Sequence, residues 1–305
     1  MYLILSKRLK KYGTILTTYN NKKILVVSHD AGAAELISSW LKKKKISFSG
    51  SISGPAKKIF SRKKLHYNKK NLKKAVRESD LVVTGTGWSS KNEINSLIEA
   101  KKYKKKIICF LDHWKNYKLR FKLGKKYLYP DEIWVSDTYA KKLSKKIFKN
   151  IKIKLIKNYY WEFLGKQKKI KNLKKKNFII ATTNFNAAKR LFKEKINMTD
   201  ETFIIKVMHY IKKKHKNKKI YLKIHPSEKK KKYIKILKKN KFRGVKIYKN
   251  IDPINLLKNC ETLIACETNL LATAKLLGVK TYNVFLNDKS ARVVPNKYFD
   301  NYLRL

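Results

Sequence analysis

The sequence predicts an α/β protein built from two doubly wound domains that face a common cleft. Its 305 residues are about twice the usual size of a domain, which favours two domains. Short apolar runs, rich in β-branched residues, alternate with helix-like stretches along most of the chain. Such runs are typical of strands buried on both faces of a sheet, and their alternation with helices indicates βαβ units and a parallel sheet.

The first series of predicted strands fills the N-terminal half. It begins with Ile24 to Ser28, which a helical periodicity from Ala33 to Leu41 follows. The other predicted strands of this series are 46–52, 81–84, 107–111, 133–135 and 153–156. Residues 1–21 fit neither half and are assigned to an N-terminal lead-in. Residues 22–160 are assigned to the N-terminal domain.

A second series of strands follows an aromatic and lysine-rich segment. That segment indicates an interdomain linker, which we place at 161–177. The second series comprises predicted strands at 178–181, 220–224, 245–248, 263–266 and 281–285, with helices at 201–214, 229–239, 253–259 and 269–277. Asp252 before Pro253 is typical of a helix cap. The C-terminal domain is expected to span 178–290, and 291–305 is expected to be a C-terminal tail.

The net charge of +57 is the most unusual property of the chain. Nearly all of it is lysine, with eight arginines among 77 basic residues, and the lysines are spread over the whole sequence. We interpret this pattern mainly as a compositional bias with solvated lysine faces. Proteins that recognise specific nucleic-acid sequences depend on arginine for bidentate contacts. Because arginine is scarce here, we expect nucleic acid to bind only non-specifically. The charge is also compatible with peripheral contact with an anionic membrane.

The three cysteines indicate a reducing compartment. Cys109, Cys260 and Cys266 lie in apolar runs without metal-ligand spacing, so we expect buried thiols and no metal site. The N-terminal stretch has its apolar residues before its charges, which is the wrong order for a secretory signal. No window approaches the roughly 18 apolar residues that a membrane-spanning helix needs. We therefore expect a cytoplasmic protein, with peripheral contact at the inner membrane face as the further option.

Polar and small residues follow the predicted strands of the first half. Because ligands bind beyond the carboxyl ends of parallel strands, these residues are candidates for a site. His29 and Asp30 could supply a base, or Asp30 could only cap a helix. Asp112 and His113 follow another strand as candidate acid–base groups. The candidates for acceptor binding are Gly32, Gly85, Thr86, Gly87, Trp88 and Trp114. A tight turn with capping serines explains the 84–90 segment equally well.

The second half offers a candidate site for a phosphate-containing ligand. The most specific signal is His225-Pro226-Ser227-Glu228 at a strand end, where proline stops the strand and histidine lies at its tip. Thr268 could bind phosphate at a helix start or simply cap that helix. The full set of candidate donor-binding residues is Thr183, Asn184, His225, Pro226, Ser227, Glu228, Glu267, Thr268 and Asn269.

His225-Pro226, together with Glu267-Thr268-Asn269 before the last helix, resembles the donor domain of GT-B glycosyltransferases that build bacterial surface polysaccharides. The resemblance is to the bacterial sialyltransferase and polysialyltransferase group and to the polymerases that use CDP-activated polyols. Those families carry a His-Pro motif that contacts the donor's cytidine phosphate, which His225-Pro226 matches. Asp30-Ala31-Gly32 is the nearest match to their acidic-acidic-glycine motif. The resemblance implies two Rossmann-like domains and no obligatory metal or other cofactor.

Three functions follow from these observations. The first is a transferase that moves a sugar or glycosyl phosphate from a nucleotide-activated donor to a glycan or lipid-linked acceptor, with Asp30 or Asp112 as the base. The second is a nucleotide-sugar epimerase of the same fold, in which Asp112, Asp137, Glu228 and Glu267 would crowd the sugar. The third is non-enzymatic polyanion binding driven by the charge.

Overall fold

The computed structural model describes residues 19, 21–88, 90–166, 177–192, 196–215, 217–284 and 292–305. The chain divides into two compact units, with the boundary between Tyr160 and Trp161. Each unit is an α/β layer structure around one parallel sheet.

The first unit contains a seven-stranded sheet in which every neighbouring pair is parallel. The strand order is β3-β2-β1-β4-β5-β8-β9, so the chain moves outward from β1 in both directions. The strands are β1 (Ile24–Ser28), β2 (Ser49–Ile52), β3 (Asn68–Lys69), β4 (Leu81–Thr84), β5 (Lys106–Leu111), β8 (Glu132–Val135) and β9 (Lys152–Leu155). A separate antiparallel hairpin is formed by β6 (Lys122–Leu123) and β7 (Lys126–Tyr127).

Helices connect these strands and cover the sheet. They are α1 (Ala31–Lys44), α2 (Gly54–Arg62), α3 (Leu72–Glu78), α4 (Asn92–Lys102) and α5 (Thr138–Ile147). All residues of β1 and β4 are buried, as expected of central strands covered on both faces. On one face, Trp40 packs against Phe110 and Trp134 with ring centroids 5.8 and 5.3 Å away. This aromatic cluster joins α1 to the sheet.

The second unit repeats the same topology with six parallel strands. The order is β12-β11-β10-β13-β14-β15. The strands are β10 (Asn177–Ala181), β11 (Lys219–Lys223), β12 (Lys246–Tyr248), β13 (Thr262–Ala265), β14 (Lys280–Val284) and β15 (Asn301–Leu303). The helices are α6 (Tyr159–Lys166), which spans the unit boundary, α7 (Phe185–Phe192), α8 (Asp200–Lys214), α9 (Lys230–Lys239), α10 (Pro253–Lys258) and α11 (Asn269–Leu276). Both sheets thus have the doubly wound order that the sequence predicts.

Four predictions about segments need correction or fall partly outside the described residues. The predicted tail 291–305 contributes β15, which pairs with β14. The sequence did not indicate this strand because its pairing is a tertiary contact that leaves no local pattern. The predicted linker begins inside α6, and its residues 167–176 lie outside the described residues. So does the lead-in 1–21, apart from Tyr19 and residue 21, and so does Phe285. No helix in the described part of the chain is long and apolar enough to cross a membrane.

Candidate functional site

The candidate site of the first unit lies at the carboxyl edge of its sheet. The strand order reverses between β1 and β4, and in doubly wound sheets this switch point is where ligands bind. The predicted residues that follow β1, β4 and β5 are His29, Asp30, Gly32, Gly85, Thr86, Gly87, Trp88, Asp112, His113 and Trp114. Their contacts separate the residues that form a polar group from those that serve packing.

His29 and Asp30 form an oriented pair at the end of β1. Asp30 occupies the N-cap position of α1, yet its side chain makes no capping hydrogen bond. Its Oδ1 accepts from Nδ1 of His29 at 2.7 Å, and its Oδ2 accepts from the Trp88 backbone N–H at 3.0 Å. Gly54 has a φ of 53°, and an added Cβ there would overlap the His29 ring. These contacts favour a His–Asp pair over the alternative that Asp30 only caps the helix.

Glu93, which the sequence analysis missed, supports this pair from the protein interior. It lies in the first turn of α4 and is 2% exposed. Its Oε1 accepts from the backbone N–H groups of His29 at 2.7 Å and Asp30 at 3.4 Å. Its Oε2 is buried with no hydrogen-bond partner among the described residues. Burial raises the pKa of Glu93, and the Asp30 carboxylate adds to this effect.

Asp112 is bound to an arginine that the sequence analysis also missed. Arg120 follows in the 3₁₀ turn Leu119–Phe121, and its Nη1 donates to Thr86 Oγ1 at 2.6 Å and to Asp112 Oδ1 at 3.2 Å. The Asp112 carboxylate also lies against Gly32, where an added Cβ would overlap it. Burial raises the pKa of Asp112, and the Arg120 guanidinium opposes this effect. Packing of Asp112 therefore accounts for Gly32 without a ligand.

The side chains of His113 and Trp114 form hydrogen bonds with other groups of the protein. Burial lowers the pKa of His113 to about 3, with Arg120 adding to it, so the imidazole is neutral at physiological pH. Its Nδ1 accepts the Trp114 backbone N–H at 2.9 Å. Trp114 is 5% exposed and its Nε1 donates to Asp137 Oδ2 at 2.9 Å. The ring of Trp114 is therefore packed inside the protein, which argues against its predicted role in acceptor binding.

Trp88 is the more exposed of the two indoles predicted at this edge. It is 41% exposed, with the Arg120 guanidinium 5.5 Å from its ring centroid. Gly85 packs directly on α1, and an added Cβ at Gly87 would lie 3.1 Å from Glu93 Oε2. Close packing explains both glycines, so among the residues predicted to bind the acceptor, Trp88 has the best geometry for stacking on a ligand.

The second unit has a matching switch point between β10 and β13. The residues after β10 include Thr183, whose Oγ1 donates to the carbonyl oxygen of Cys266 at 2.6 Å. This bond joins the ends of the two central strands. All three cysteines are buried free thiols, as predicted.

The loop after β11 presents an exposed polar group at the same edge. His225 Nδ1 lies 2.7 Å from Ser227 Oγ, and the Ser227 backbone N–H lies 3.2 Å from that nitrogen. Asn184, from the loop after β10, donates to Ser227 Oγ at 3.1 Å. His225, Pro226 and Ser227 are all exposed. The structure thus brings together predicted residues from two loops.

Glu228 holds this loop in place from below. It is 4% exposed, and its Oε2 accepts from Thr182 Oγ1 at 2.6 Å and from the His225 N–H at 3.2 Å. Its Oε1 accepts from the Tyr233 hydroxyl and from Lys232 Nζ. Burial raises the pKa of Tyr233, and its hydrogen bond to Glu228 adds to this. Glu228 was predicted to contact a donor, but its geometry is that of a residue that positions His225.

Glu267 is likewise bound by the protein. It has a positive φ of 46°, and its Oε1 accepts from Asn283 Nδ2 at 2.7 Å. Its Oε2 accepts from the backbone N–H groups of Val293 and Val294 at 2.6 and 2.8 Å. Glu267 therefore ties the segment before β15 to the switch point.

Thr268 and Asn269 begin α11 beside this carboxylate. Thr268 is the N-cap, with its Oγ1 accepting from the Leu270 N–H at 3.4 Å, and Asn269 is the first helical residue. Thr268 thus caps the helix, which is one of its two predicted roles. Because this hydrogen bond is long, the helix start is only weakly capped.

A depression of about 610 Å³ on the second unit lies beside the helix that follows the His225 loop. It is lined by Asn186, Thr199, Asp200, Glu201, Lys229, Lys231, Lys232, Lys235 and Ile236. None of these was predicted as a site residue, so the depression and the candidate donor residues are separate features.

Comparisons with known proteins show the fold. No protein-family model matches the sequence, and no curated protein matches it. Among solved structures, UDP-GlcNAc 2-epimerase from Methanocaldococcus jannaschii has a TM-score of 0.57 at 13% identity, covering 93% of this chain and 88% of that one. A putative UDP-N-acetylglucosamine 2-epimerase from Listeria monocytogenes gives 0.58 at 11%, covering 88% and 80%. The wall teichoic acid polymerase TagF with CDPG gives 0.51 at 11%, covering 92% and 76%.

These similarities, with the two doubly wound sheets, establish a GT-B-type fold of two Rossmann-like domains. The expected GT-B-like fold of two doubly wound domains is confirmed. The finer resemblance to sialyltransferases and CDP-polyol polymerases stays a prediction.

Proposed function

We propose that the protein is a glycosyltransferase that moves a sugar, or a glycosyl phosphate, from a nucleotide-activated donor to a cell-surface glycan or a lipid-linked acceptor. The observation that carries this proposal is the hydrogen-bonded group of exposed His225 and Ser227 with half-buried Asn184, where the buried carboxylate of Glu228 fixes the backbone of His225 at a strand end of a GT-B fold. A preordered imidazole, hydroxyl and amide at such a position suit the phosphates of a nucleotide.

The donor would bind mainly through the second unit. His225 and Ser227 would contact its phosphates, and Thr268 and Asn269 would supply the weakly capped start of α11. Two similar structures support a nucleotide ligand: the M. jannaschii epimerase was solved with UDP-GlcNAc and UDP, and TagF with CDPG. Glu228 and Glu267 would act by holding the backbone around these groups.

Asp30 is the best-placed general base in the first unit. Its carboxylate is partly exposed and is oriented by His29 and by the Trp88 N–H. It would remove the proton from an acceptor hydroxyl as that oxygen bonds to the anomeric carbon of the sugar. The bond between this carbon and the nucleotide phosphate breaks, and the leaving phosphate carries the electron pair. Asp112 serves this role less well because it is bound to Arg120.

An epimerase is the second candidate, because the similar structures with TM-scores of 0.57 and 0.58 are a UDP-GlcNAc 2-epimerase and a protein described as a putative one. The structure argues against most of the acidic residues that were expected to serve that chemistry. Asp137 caps a helix, and Glu228 and Glu267 are bound by neighbouring groups. Of the four, Asp112 remains, with Asp30 and Glu93 nearby in the first unit.

The donor site is tested by thermal stabilisation with CMP, CDP, UMP, UDP, GDP and NAD at low and high salt. We expect one nucleotide family to raise the melting temperature at high salt, and this shift to be lost in His225→Ala. His66→Ala is the matched control, because His66 is an exposed histidine of the other unit. Equal shifts for all nucleotides that vanish in salt would contradict the donor site and favour non-specific polyanion binding.

A second measurement separates the two enzyme classes. The nucleotide sugar of the base so identified is incubated with the protein, with and without glycan or lipid-linked acceptors. A product that needs an acceptor and is lost in Asp30→Asn supports the transferase. Formation of an isomerised nucleotide sugar without any acceptor would contradict the transferase and support the epimerase.

A further inference from the structure

A small hairpin on the first unit is built differently from the rest of the molecule. Its strands β6 and β7 form a separate sheet from the seven-stranded one, and the turn between them contains Gly124 at a φ of 59°. An added Cβ on Gly124 would meet nothing within 4 Å. Every residue from 122 to 127 is exposed. The tip of the hairpin therefore projects away from the described residues around it.

This tip carries apolar side chains on both of its faces. Leu123 is 42% exposed and Tyr127 is 38% exposed. The strands pair Lys122 with Tyr127 and Leu123 with Lys126. Directly paired residues of an antiparallel ladder share a face, so Leu123 and Tyr127 lie on opposite faces. A groove on a partner protein would cover one face, whereas an insertion end-on into a fluid apolar phase covers both.

The surroundings of these side chains are uniformly basic. Lys118, Lys122, Lys125 and Lys126 are exposed, and Lys118 Nζ lies 5.5 Å from the centroid of the Tyr127 ring. No acidic residue occurs between Asp112 and Asp131. Lysines around an apolar tip match a bilayer with anionic headgroups, because the amines reach the phosphates while their alkyl stems and Leu123 reach the acyl boundary. Nucleic acid offers the phosphates without the apolar phase.

The base of the hairpin is held by an aromatic cluster. Tyr127 stacks on Tyr129 with centroids 6.1 Å apart and planes at 10°. Tyr129 packs edge-on against Phe121 at 5.7 Å and Phe148 at 5.5 Å. The tip is thus preordered, and little conformational freedom is lost when it inserts.

The hairpin belongs to the same chain segment as two residues of the candidate site, Asp112 and Arg120. The segment leaves the sheet after Asp112, passes through the 3₁₀ turn that supplies Arg120, and continues into β6. Because Arg120 bonds to Thr86 and Asp112, the hairpin is connected to the carboxyl edge of the sheet through a few residues.

We propose that the hairpin tip docks the first unit onto an anionic lipid bilayer, with Leu123 and Tyr127 in the interface and the four lysines among the headgroups. The docking itself does not rest on the proposed function. For a transferase with a lipid-linked acceptor, as proposed above, it would place the carboxyl edge of the first unit near that acceptor.

The test is co-sedimentation of the full chain with vesicles of phosphatidylcholine, with and without phosphatidylglycerol. We expect binding to the anionic vesicles, weakened about tenfold in the double variant Leu123→Ser/Tyr127→Ser. The matched control is Ile234→Ser, since Ile234 is 37% exposed on the lysine-rich helix α9. Equal binding of all three proteins would overturn the proposal and leave the overall charge as the cause.

A second readout reports insertion directly. The native cysteines are buried, so Leu123→Cys and Ile234→Cys can each be labelled with the environment-sensitive dye NBD. We expect a blue shift on anionic vesicles for the label at 123 and none for the label at 234. Vesicle binding without a shift at 123 would exclude the hairpin as the docking element. A similar shift with single-stranded RNA would assign the hairpin to nucleic acid.

Discussion

At the scale of single residues, the buried carboxylate of Glu93 has the clearest physical consequence. One of its oxygens holds the backbone of His29 and Asp30, and the other has no partner among the described residues. Burial and the neighbouring Asp30 both disfavour the charged form of this side chain, so the pKa of Glu93 is raised in the folded state. The proton taken up by Glu93 is therefore linked to folding.

We predict that Glu93→Gln increases stability relative to the wild type as pH rises. The folded-state pKa lies above the ordinary value of 4.5, so the wild type loses stability from about that pH upward through the folded-state pKa. Gln mimics the protonated acid and does not titrate. Urea unfolding between pH 4.5 and 8.5 should show that the free energy of unfolding of Glu93→Gln rises relative to that of the wild type as pH increases.

Two variants control this experiment. Glu78→Gln should stay at a nearly constant difference from the wild type in this window, because a hydrogen bond from Lys70 lowers the pKa of the exposed Glu78 and its small effect on stability changes only at lower pH. Glu93→Ala should be less stable at every pH, since it removes the acceptor of two backbone N–H groups. A Glu93→Gln curve parallel to the wild type would show that Glu93 is ionised in the native state.

The sequence located candidate residues at strand ends better than it predicted their contacts. His29, Asp30 and His225 lie directly after strands, as expected, because polar residues that follow apolar runs mark strand ends. Glu93 was missed because it bonds to the backbone of residues about 60 positions earlier in the chain, which no local pattern shows. Its position as an acid in the first turn of a helix was nevertheless a usable signal. Arg120 is one of only eight arginines in a chain rich in lysine, and that scarcity was a signal too.

At the scale of secondary-structure elements, central strands were predictable and edge elements were not. Ile24–Ser28 and Leu81–Thr84 were predicted with their observed bounds, because strands covered on both faces read as continuous apolar runs. Asn301–Leu303 and the hairpin lack such runs, since their pairing depends on a neighbour rather than on local sequence. Fold class therefore follows from the core strands, and the outer elements require tertiary contacts.

The cap of α5 has a second function in the structure, and a substitution should show it. Asp137 caps the helix through the Ala140 N–H at 2.8 Å and also accepts the indole N–H of Trp114. We predict that Asp137→Ala reduces the free energy of unfolding by about 2–4 kcal/mol, the sum of a lost cap and a lost acceptor for a buried donor. Asn71→Ala removes an exposed cap on α3 and should lose about 1 kcal/mol. Equal losses in urea unfolding would show that the Trp114 bond contributes little.

At the scale of the whole molecule, the charge sets how stability depends on salt. With 77 basic and 20 acidic residues, most lysines have no carboxylate to pair with, so repulsion dominates over attraction. Exposed ion pairs weaken in salt, but each contributes under about 1 kcal/mol. Screening of the repulsion should therefore outweigh the loss of these pairs, and the chain should become more stable as salt increases.

We predict that the urea midpoint rises from low to moderate sodium chloride, because the screening length falls from about 30 Å at 0.01 M to about 10 Å at 0.1 M. Sodium fluoride should act like chloride at equal ionic strength, since screening does not depend on the identity of the anion. A rise produced by phosphate or sulfate at concentrations where chloride has no effect would contradict general screening. It would point instead to a discrete anion site, and loss of that rise in His225→Ala would place the anion at the proposed donor loop.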